Sequence, residues 1–260
     1  MGAKIKRIYE NIKRGLRLAG DLIIPRACVV CERNLLSNEH IICLHCLADI
    51  PFTRFWVLEH NPMADRFNAV IQDGLLVHKR NSGYERYAFA AALFFYSHDA
   101  DYRRILYNLK YEGRVDVGKC FGNMLGRKLA TSAIFEDVDC VIPVPLHWIR
   151  RWRRGYNQAE IIAQEVAAAL GAGIDNTTLR RCRRTKTQTK LDIEGKSANV
   201  SGAFTAQVSS SVSSSPKHIL LIDDVFTTGS TLYACFVALR EVFPPRIRIS
   251  VATLGFVGEA

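Results

Sequence analysis

The chain has 260 residues, 48% of them hydrophobic, and its 35 Lys and Arg against 25 Asp and Glu give a formal net charge of +10. That length allows one large domain, or one domain with a smaller appendage, around a sizeable core. No apolar run approaches the roughly 20 residues that span a bilayer, which argues against stable membrane insertion. The positive balance favours polyanionic partners such as nucleic acid or small phosphorylated ligands.

Near the N-terminus, Ile5, Ile8, Ile12 and Leu16 recur at helical spacing among Lys4, Lys6, Arg7, Lys13, Arg14 and Arg17. This pattern predicts an amphipathic helix packed on its own domain in a cytoplasmic protein, unlike the uninterrupted apolar core of a signal peptide. The stretch "CVVCERNLLSNEHIICLHC" follows and places Cys28, Cys31, Cys43 and Cys46 in two Cys-x-x-Cys pairs separated by eleven residues. Each pair presents two thiolates from one tight turn, and two such turns together make a tetrahedral set that suits zinc. Redox dithiols or buried thiols are the competing readings, and cytosolic disulfides are rare. A closed four-cysteine site has no open coordination position, so its expected role is structural, in a module covering residues 1–50. His40 and His45 are alternative ligands within the same stretch, and Cys120, Cys140, Cys182 and Cys235 are scattered and read mostly as structural.

Residues 51–85 show no clean periodicity and are expected to form a linker or hood segment of irregular or hairpin structure. Over 86–260 the pattern becomes regular. "YAFAAALFFYSH" predicts a strand or buried segment, residues 100–133 predict two helices punctuated near Gly113, and "DVDCVIPVP" predicts a short apolar strand. "GYNQAEIIAQEVAAALG" predicts a helix closed by Gly171, "HILLI" a strand, "STLYACFVALREVF" a helix stopped by Pro244 and Pro245, and "RIRISVATLGF" the last strand. Strands alternating with helices indicate an α/β fold with a mostly parallel sheet flanked by helices. "LRRCRRTKTQTKLDIEGKSANVSGAF" lacks the periodicity of a core segment and is expected to be a mobile loop. "SSSVSSSP" reads as a low-complexity surface loop.

Ligands of such sheets sit outside the carboxyl ends of the strands, which is where "PVPLHWIRRWRRGYNQ" and "DDVFTTGST" fall. Backbone N–H groups of Thr227 to Thr231, in a turn entering a helix, converge on one point to which the helix dipole adds positive potential. Gly229 allows close backbone approach, and the Thr and Ser hydroxyls add donors. Asp223 and Asp224 are placed to accept hydrogen bonds from sugar hydroxyls, so two acceptors and one cradle match a ribose 5-phosphate. The competing reading is ordinary turn chemistry between a strand and a helix.

"LLIDDVFTTGST" resembles the phosphoribosyl pyrophosphate (PRPP) signature of type I phosphoribosyltransferases. The wider arrangement is similar to the competence protein F (ComF) branch, through the four-cysteine knuckle, the "PVPL" turn with its "RRGYNQ", the "TQTKL" and "NVSGAF" segments and the acidic signature. The resemblance implies a type I phosphoribosyltransferase fold carrying a small zinc module. It implies that Asp223 and Asp224 hold the ribose hydroxyls, with Val225, Thr227, Thr228, Gly229, Ser230 and Thr231 completing the PRPP site around the 5-phosphate. Val144, Pro145, Leu146 and His147 would take the place of the pyrophosphate loop. Arg154, Lys186, Gln188 and Lys190 are further pyrophosphate and lid candidates, the lid running from about Arg180 to Lys196. Magnesium would arrive with the pyrophosphate oxygens. The implied activity is transfer of a 5-phosphoribosyl group with release of pyrophosphate, driven by positioning and charge stabilisation, with no catalytic residue or acceptor assigned. Two positions depart from the branch: Lys196 stands where Arg is common, and Tyr156 where Phe is common.

Arg150, Arg151, Arg153 and Arg154 interleave with Trp148, Trp152 and Tyr156, a mixture that can grip single-stranded nucleic acid by phosphate contact and base stacking. Arg180, Arg181, Arg183, Arg184, Lys186 and Lys190 form a second basic cluster, and both clusters equally suit the surroundings of a pyrophosphate. A second expectation therefore stands beside the enzyme: a DNA-uptake protein that contacts single-stranded DNA and a competence helicase, with the pocket retained as a PRPP sensor.

Overall fold

The computed structural model describes residues 26–77, 85–182, 202–208 and 216–258. The N-terminal amphipathic helix, most of the expected lid and nearly all of the serine tract lie outside the described residues. The chain divides between Ile50 and Pro51 into two compact units. The described part of the first holds the cysteine turns and a short helix, α1 (Leu44–Ala48).

The second unit is built on five parallel strands. These are β1 (Ala90–Phe95), β2 (Cys140–Pro143), β3 (Gly173–Ile174), β6 (His218–Phe226) and β7 (Arg248–Phe256), in the spatial order β1-β7-β6-β2-β3. Helices α2 (Pro62–Val77), α3 (Arg103–Tyr111), α4 (Val115–Leu129), α5 (Trp148–Arg154), α6 (Gln158–Leu170) and α7 (Ser230–Arg240) surround them. The run His218 to Ile222 is fully buried because helices cover both faces of its sheet, the reason its sequence is continuously apolar after the first residue. Ile219 and Leu221 join the core with Phe67 and Ile71 of α2 and Leu232, Phe236 and Leu239 of α7. Leu220 and Ile222 point the other way by strand alternation. Helices α4 and α6 are drawn together by Gly118, Gly122 and Gly126. A methyl group on Gly126 would fall 3.0 Å from the Val166 Cα and 2.8 Å from the Ala169 Cβ.

The segment 51–85 departs from its expected irregular or hairpin structure, because its described part contains a 16-residue helix, α2. Asn61 caps it, accepting from the N–H groups of Met63 and Ala64 at 3.1 and 3.0 Å, and Pro62 occupies the first helical position. Met63, Phe67 and Ile71 form its buried row. That spacing of four is present in the sequence, but Asn-Pro also reads as a turn signal and masks it. Helix α7 ends at Arg240, before the two prolines. Arg240 forms a buried ion pair with Glu85 at 2.6 Å and donates to the carbonyls of Pro244 and Ile247. The basic stretch after β2 forms helix α5, and the two ends of the expected mobile loop pair as an antiparallel ribbon of β4 (Leu179–Arg181) and β5 (Phe204–Ala206). Leu179 and Phe204 of that ribbon are buried in the core.

Candidate functional site

The first unit gathers its four cysteines. The sulfurs of Cys28, Cys31, Cys43 and Cys46 all lie within 4.8 Å of one another, with Cys31 and Cys43 3.8 Å apart. A tetrahedral metal at about 2.3 Å from each thiolate requires sulfur separations of about 3.8 Å, so the group fits zinc. The backbone N–H groups of Val30 and Cys43 point at the Cys28 sulfur, and that of Cys46 at the Cys43 sulfur, each at 3.4 Å. Burial pushes the Cys28 thiol up, but N–H donation from Cys31, Cys43 and Val30 outweighs it and brings the thiol down to about 7. Cys46 is pushed up by burial and by the neighbouring thiols, a repulsion that a shared dication removes. His40 contacts Arg26 and His45 pairs with Asp49, both at exposed positions, and neither joins the four sulfurs.

In the second unit, β6 runs on through Asp223, Asp224 and Val225 to Phe226, four residues beyond the expected strand. Asp223 lies opposite Thr253 and Val225 opposite Gly255 in β7. The Thr227–Gly229 turn then leads into α7, with Gly229 at φ 79°. A side chain there would demand a left-handed backbone, and its Cβ would fall 2.7 Å from the Phe226 ring. The Thr228 and Ser230 hydroxyls are 2.9 Å apart, and Gly229 is buried between them.

The neighbouring strand brings the second stretch alongside. Pro143 lies opposite Ile222, and the Val144 N–H donates to the Ile222 carbonyl at 2.8 Å. Asn157 donates to the Val144 carbonyl at 3.0 Å and accepts from the Ala159 N–H, so the Asn of "RRGYNQ" both holds the turn and caps α6. Pro145 and Leu146 are half-buried, and buried His147 caps α5 through its Nδ1. Arg154 is directed to Gln158 at 2.9 Å and over the Tyr111 ring at 5.1 Å. Lys186, Gln188 and Lys190 lie outside the described residues, although the Cys182 N–H donates to the Ala203 carbonyl and so joins the two ends of their segment.

The two aspartates have unlike surroundings. Burial first, and the charge of Asp224 second, push the Asp223 carboxyl up to about 7, against the pull of Lys110 and Arg181. Asp224 forms an ion pair with Lys110 at 3.1 Å, both side chains being largely buried. Burial works against the Lys110 ammonium, but the Asp224 carboxylate outweighs it and holds the lysine charged. Lys110 escaped the sequence reading because it comes from α3, more than a hundred residues away, in a stretch that reads as an ordinary amphipathic helix. Arg66 of α2 was also missed. It donates to the Thr227 and Val257 carbonyls, at 3.3 and 3.0 Å, and braces the turn from outside.

No family model matches the chain. Over 111 residues it is 36% identical to competence protein F of Haemophilus influenzae, a match covering 43% of this chain and 48% of that protein. The chain is a homologue of competence protein F. Over 131 residues it is also 30% identical to DNA utilization protein YhgH of Salmonella typhimurium and 28% identical to YhgH of Escherichia coli K12, covering 49% of this chain and 56% of each relative. The chain thus matches about half the length of these relatives, and what it does is argued from its own residues.

Three outcomes follow from this geometry. Purified protein carries one zinc ion per chain by metal analysis, and Cys28→Ser or Cys43→Ser lowers that content. Zinc affinity falls as pH is lowered, because protons compete with the metal for the raised Cys43 and Cys46 thiols and then for Cys28. A raised folded-state carboxyl favours stability below its ordinary pKa of 3.8 and loses it as pH rises through about 7. Asp223→Asn therefore raises the free energy of unfolding at pH 8 by an amount on the order of 1 kcal/mol, read as a higher melting temperature, and thermal scans at pH 4 show the gain gone.

Proposed function

We propose that this chain binds PRPP at the carboxyl edge of its sheet and transfers the 5-phosphoribosyl group with release of pyrophosphate. The observation that carries the reading is the juxtaposition of adjacent Asp223 and Asp224 with the Gly229 turn that opens α7. The backbone N–H groups from Thr228 to Thr231, still without helical partners at that end, are suited to the 5-phosphate. Asp223 and Asp224 would accept from the ribose hydroxyls, and the turn Val144 to His147, held against β6, would take the pyrophosphate. Among the described residues no cluster of three acidic or histidine ligands occurs, so magnesium would be held chiefly by the pyrophosphate's own oxygens. When bound, it would neutralise charge building on the leaving group. The chain supplies position, a pair of carboxylates near the cationic sugar, and the cations Lys110 and Arg181 around them. The test is a thermal-shift titration and a pyrophosphate-release assay. PRPP with magnesium raises the melting temperature of the zinc-loaded protein, Asp223→Asn with Asp224→Asn removes most of that rise, and the pair lowers any pyrophosphate release at least tenfold. A parent protein indifferent to PRPP would refute the reading.

A second reading is favoured by a specific surface and by the names of the relatives. Trp148 and Trp152 of α5 are 70% and 82% exposed, one helical turn apart among arginines, an arrangement suited to stacking unpaired bases beside their phosphates. We infer that this face contacts single-stranded DNA in a competence or DNA-utilization role. Oligothymidine quenches tryptophan emission, the affinity falls with added salt, and Trp152→Ala weakens binding about tenfold, as loss of one stacking contact requires.

A further inference from the structure

A cavity of about 600 Å³ opens beside the residues just described and is used by none of them except Lys110. Its walls are Tyr96, Leu106, Tyr107 and Tyr111, and Arg103, Arg104 and Lys110 add positive charge. Tyr96 continues β1 and donates its N–H to the Phe256 carbonyl at 2.7 Å, so the cavity lies at the same carboxyl edge as Asp223 and Asp224. Gly255 of β7 has neighbours on both sides. A methyl group on it would fall 3.3 Å from the Leu106 Cδ1 on the cavity side and 3.4 Å from the Val225 side chain beside Asp224. Lys110 spans the gap, lining the cavity while its Nζ reaches Asp224 at 3.1 Å.

The volume suits one small molecule. Tyr107 and Tyr111 leave 52% and 63% of their surface exposed, and their rings, 5.2 Å apart and inclined at 45°, pack together as one aromatic wall of the cavity. Aromatic walls favour a flat ring. Lys110 is already paired with Asp224, and the two arginines that remain at the lining outnumber its one carboxylate, Asp99, and so favour a ring with a negative charge.

We propose that this cavity is the acceptor pocket and that it takes a single planar aromatic ring bearing an anionic group, an inference that rests on the PRPP reading for its role though not for its binding. An acceptor must lie next to the ribose carbon it attacks, and a pocket that shares Lys110 with the ribose-facing Asp224 meets that requirement. The bond formed joins a ring nitrogen to C1 of the ribose. The bond broken is C1 to the pyrophosphate oxygen, which leaves with the electron pair and takes up the proton released by an N–H acceptor.

The experiment titrates pyridine-2-carboxylate by calorimetry and saturation-transfer NMR, with cyclohexanecarboxylate as the non-planar control, in the presence and absence of PRPP with magnesium. The planar acid binds the parent protein and the control at least tenfold more weakly. Tyr107→Ala and Arg104→Gln, at surface positions on α3, each weaken the planar acid about tenfold and leave the PRPP-induced thermal shift unchanged. Equal binding of planar and non-planar acids, or variants with parental affinity, overturns the proposal. So does a result in which only oligonucleotides of several residues are sensitive to the variants, which would make the cavity part of a nucleic-acid track. The arm without PRPP separates the two readings. A parent that binds the planar acid through Tyr107 and Arg104 but ignores PRPP keeps the pocket and loses the transfer, whereas a PRPP response with no planar-acid binding does the reverse.

Discussion

The parallel pairing of β2 with β6 is the constraint on which the candidate site depends. One hydrogen bond beyond the ladder, from the Val144 N–H to the Ile222 carbonyl, sets the first turn against the start of the acidic pair. In a parallel sheet every strand ends on the same side, so the polar sequences that must follow each apolar run collect along one edge. The backbone groups at that edge have no further strand to pair with. Asn157 takes up one of them, the Val144 carbonyl, and Gly229 allows the others to turn into a helix instead.

The edge is held under electrostatic tension. Two neighbouring carboxylates in a half-buried position repel each other, and the fold answers with an ion pair on Asp224 and the charges of Lys110 and Arg181 acting on Asp223. Asp224 has Lys110, while Asp223 accepts the Asp224 N–H at 2.8 Å and remains near its titration point at neutral pH. A carboxyl held in that way costs the fold some stability at neutral pH. The sheet around it is fully buried and tolerates that cost. At the opposite end of β6, buried His218 shows the contrasting solution, a polar side chain with both ring nitrogens engaged, by Asp137 at 2.5 Å and Ser250 at 2.7 Å.

Much of the architecture was legible before any coordinates. The alternating apolar runs predicted β1, β2, β6, β7 and their helices, and glycines at 113 and 171 marked helix boundaries where φ is 68° and 67°. Reading failed where one local signal had two meanings. Asn61-Pro62 is a turn in isolation and a helix start when Met63, Phe67 and Ile71 find a core to enter. Two acidic residues look like the end of a strand, yet β6 continues through them because β7 supplies partners as far as Phe256. The place of Arg154 over Tyr111 had no local signal, because it depends on a helix that pairs with it only in the folded chain.

The sequence by itself determined the four-thiolate metal set, the α/β class and the acidic strand end followed by a glycine turn. Each of these is written in residues close together along the chain, where spacing alone decides which side chains share a turn or a face. Only the tertiary structure decided that Lys110 neutralises Asp224, that Arg66 braces the Thr227 turn, and that three tyrosines and three cations enclose a cavity beside them. Those groups come from helices and strands far apart in sequence, and nothing local records which of them the closing of one core will press together.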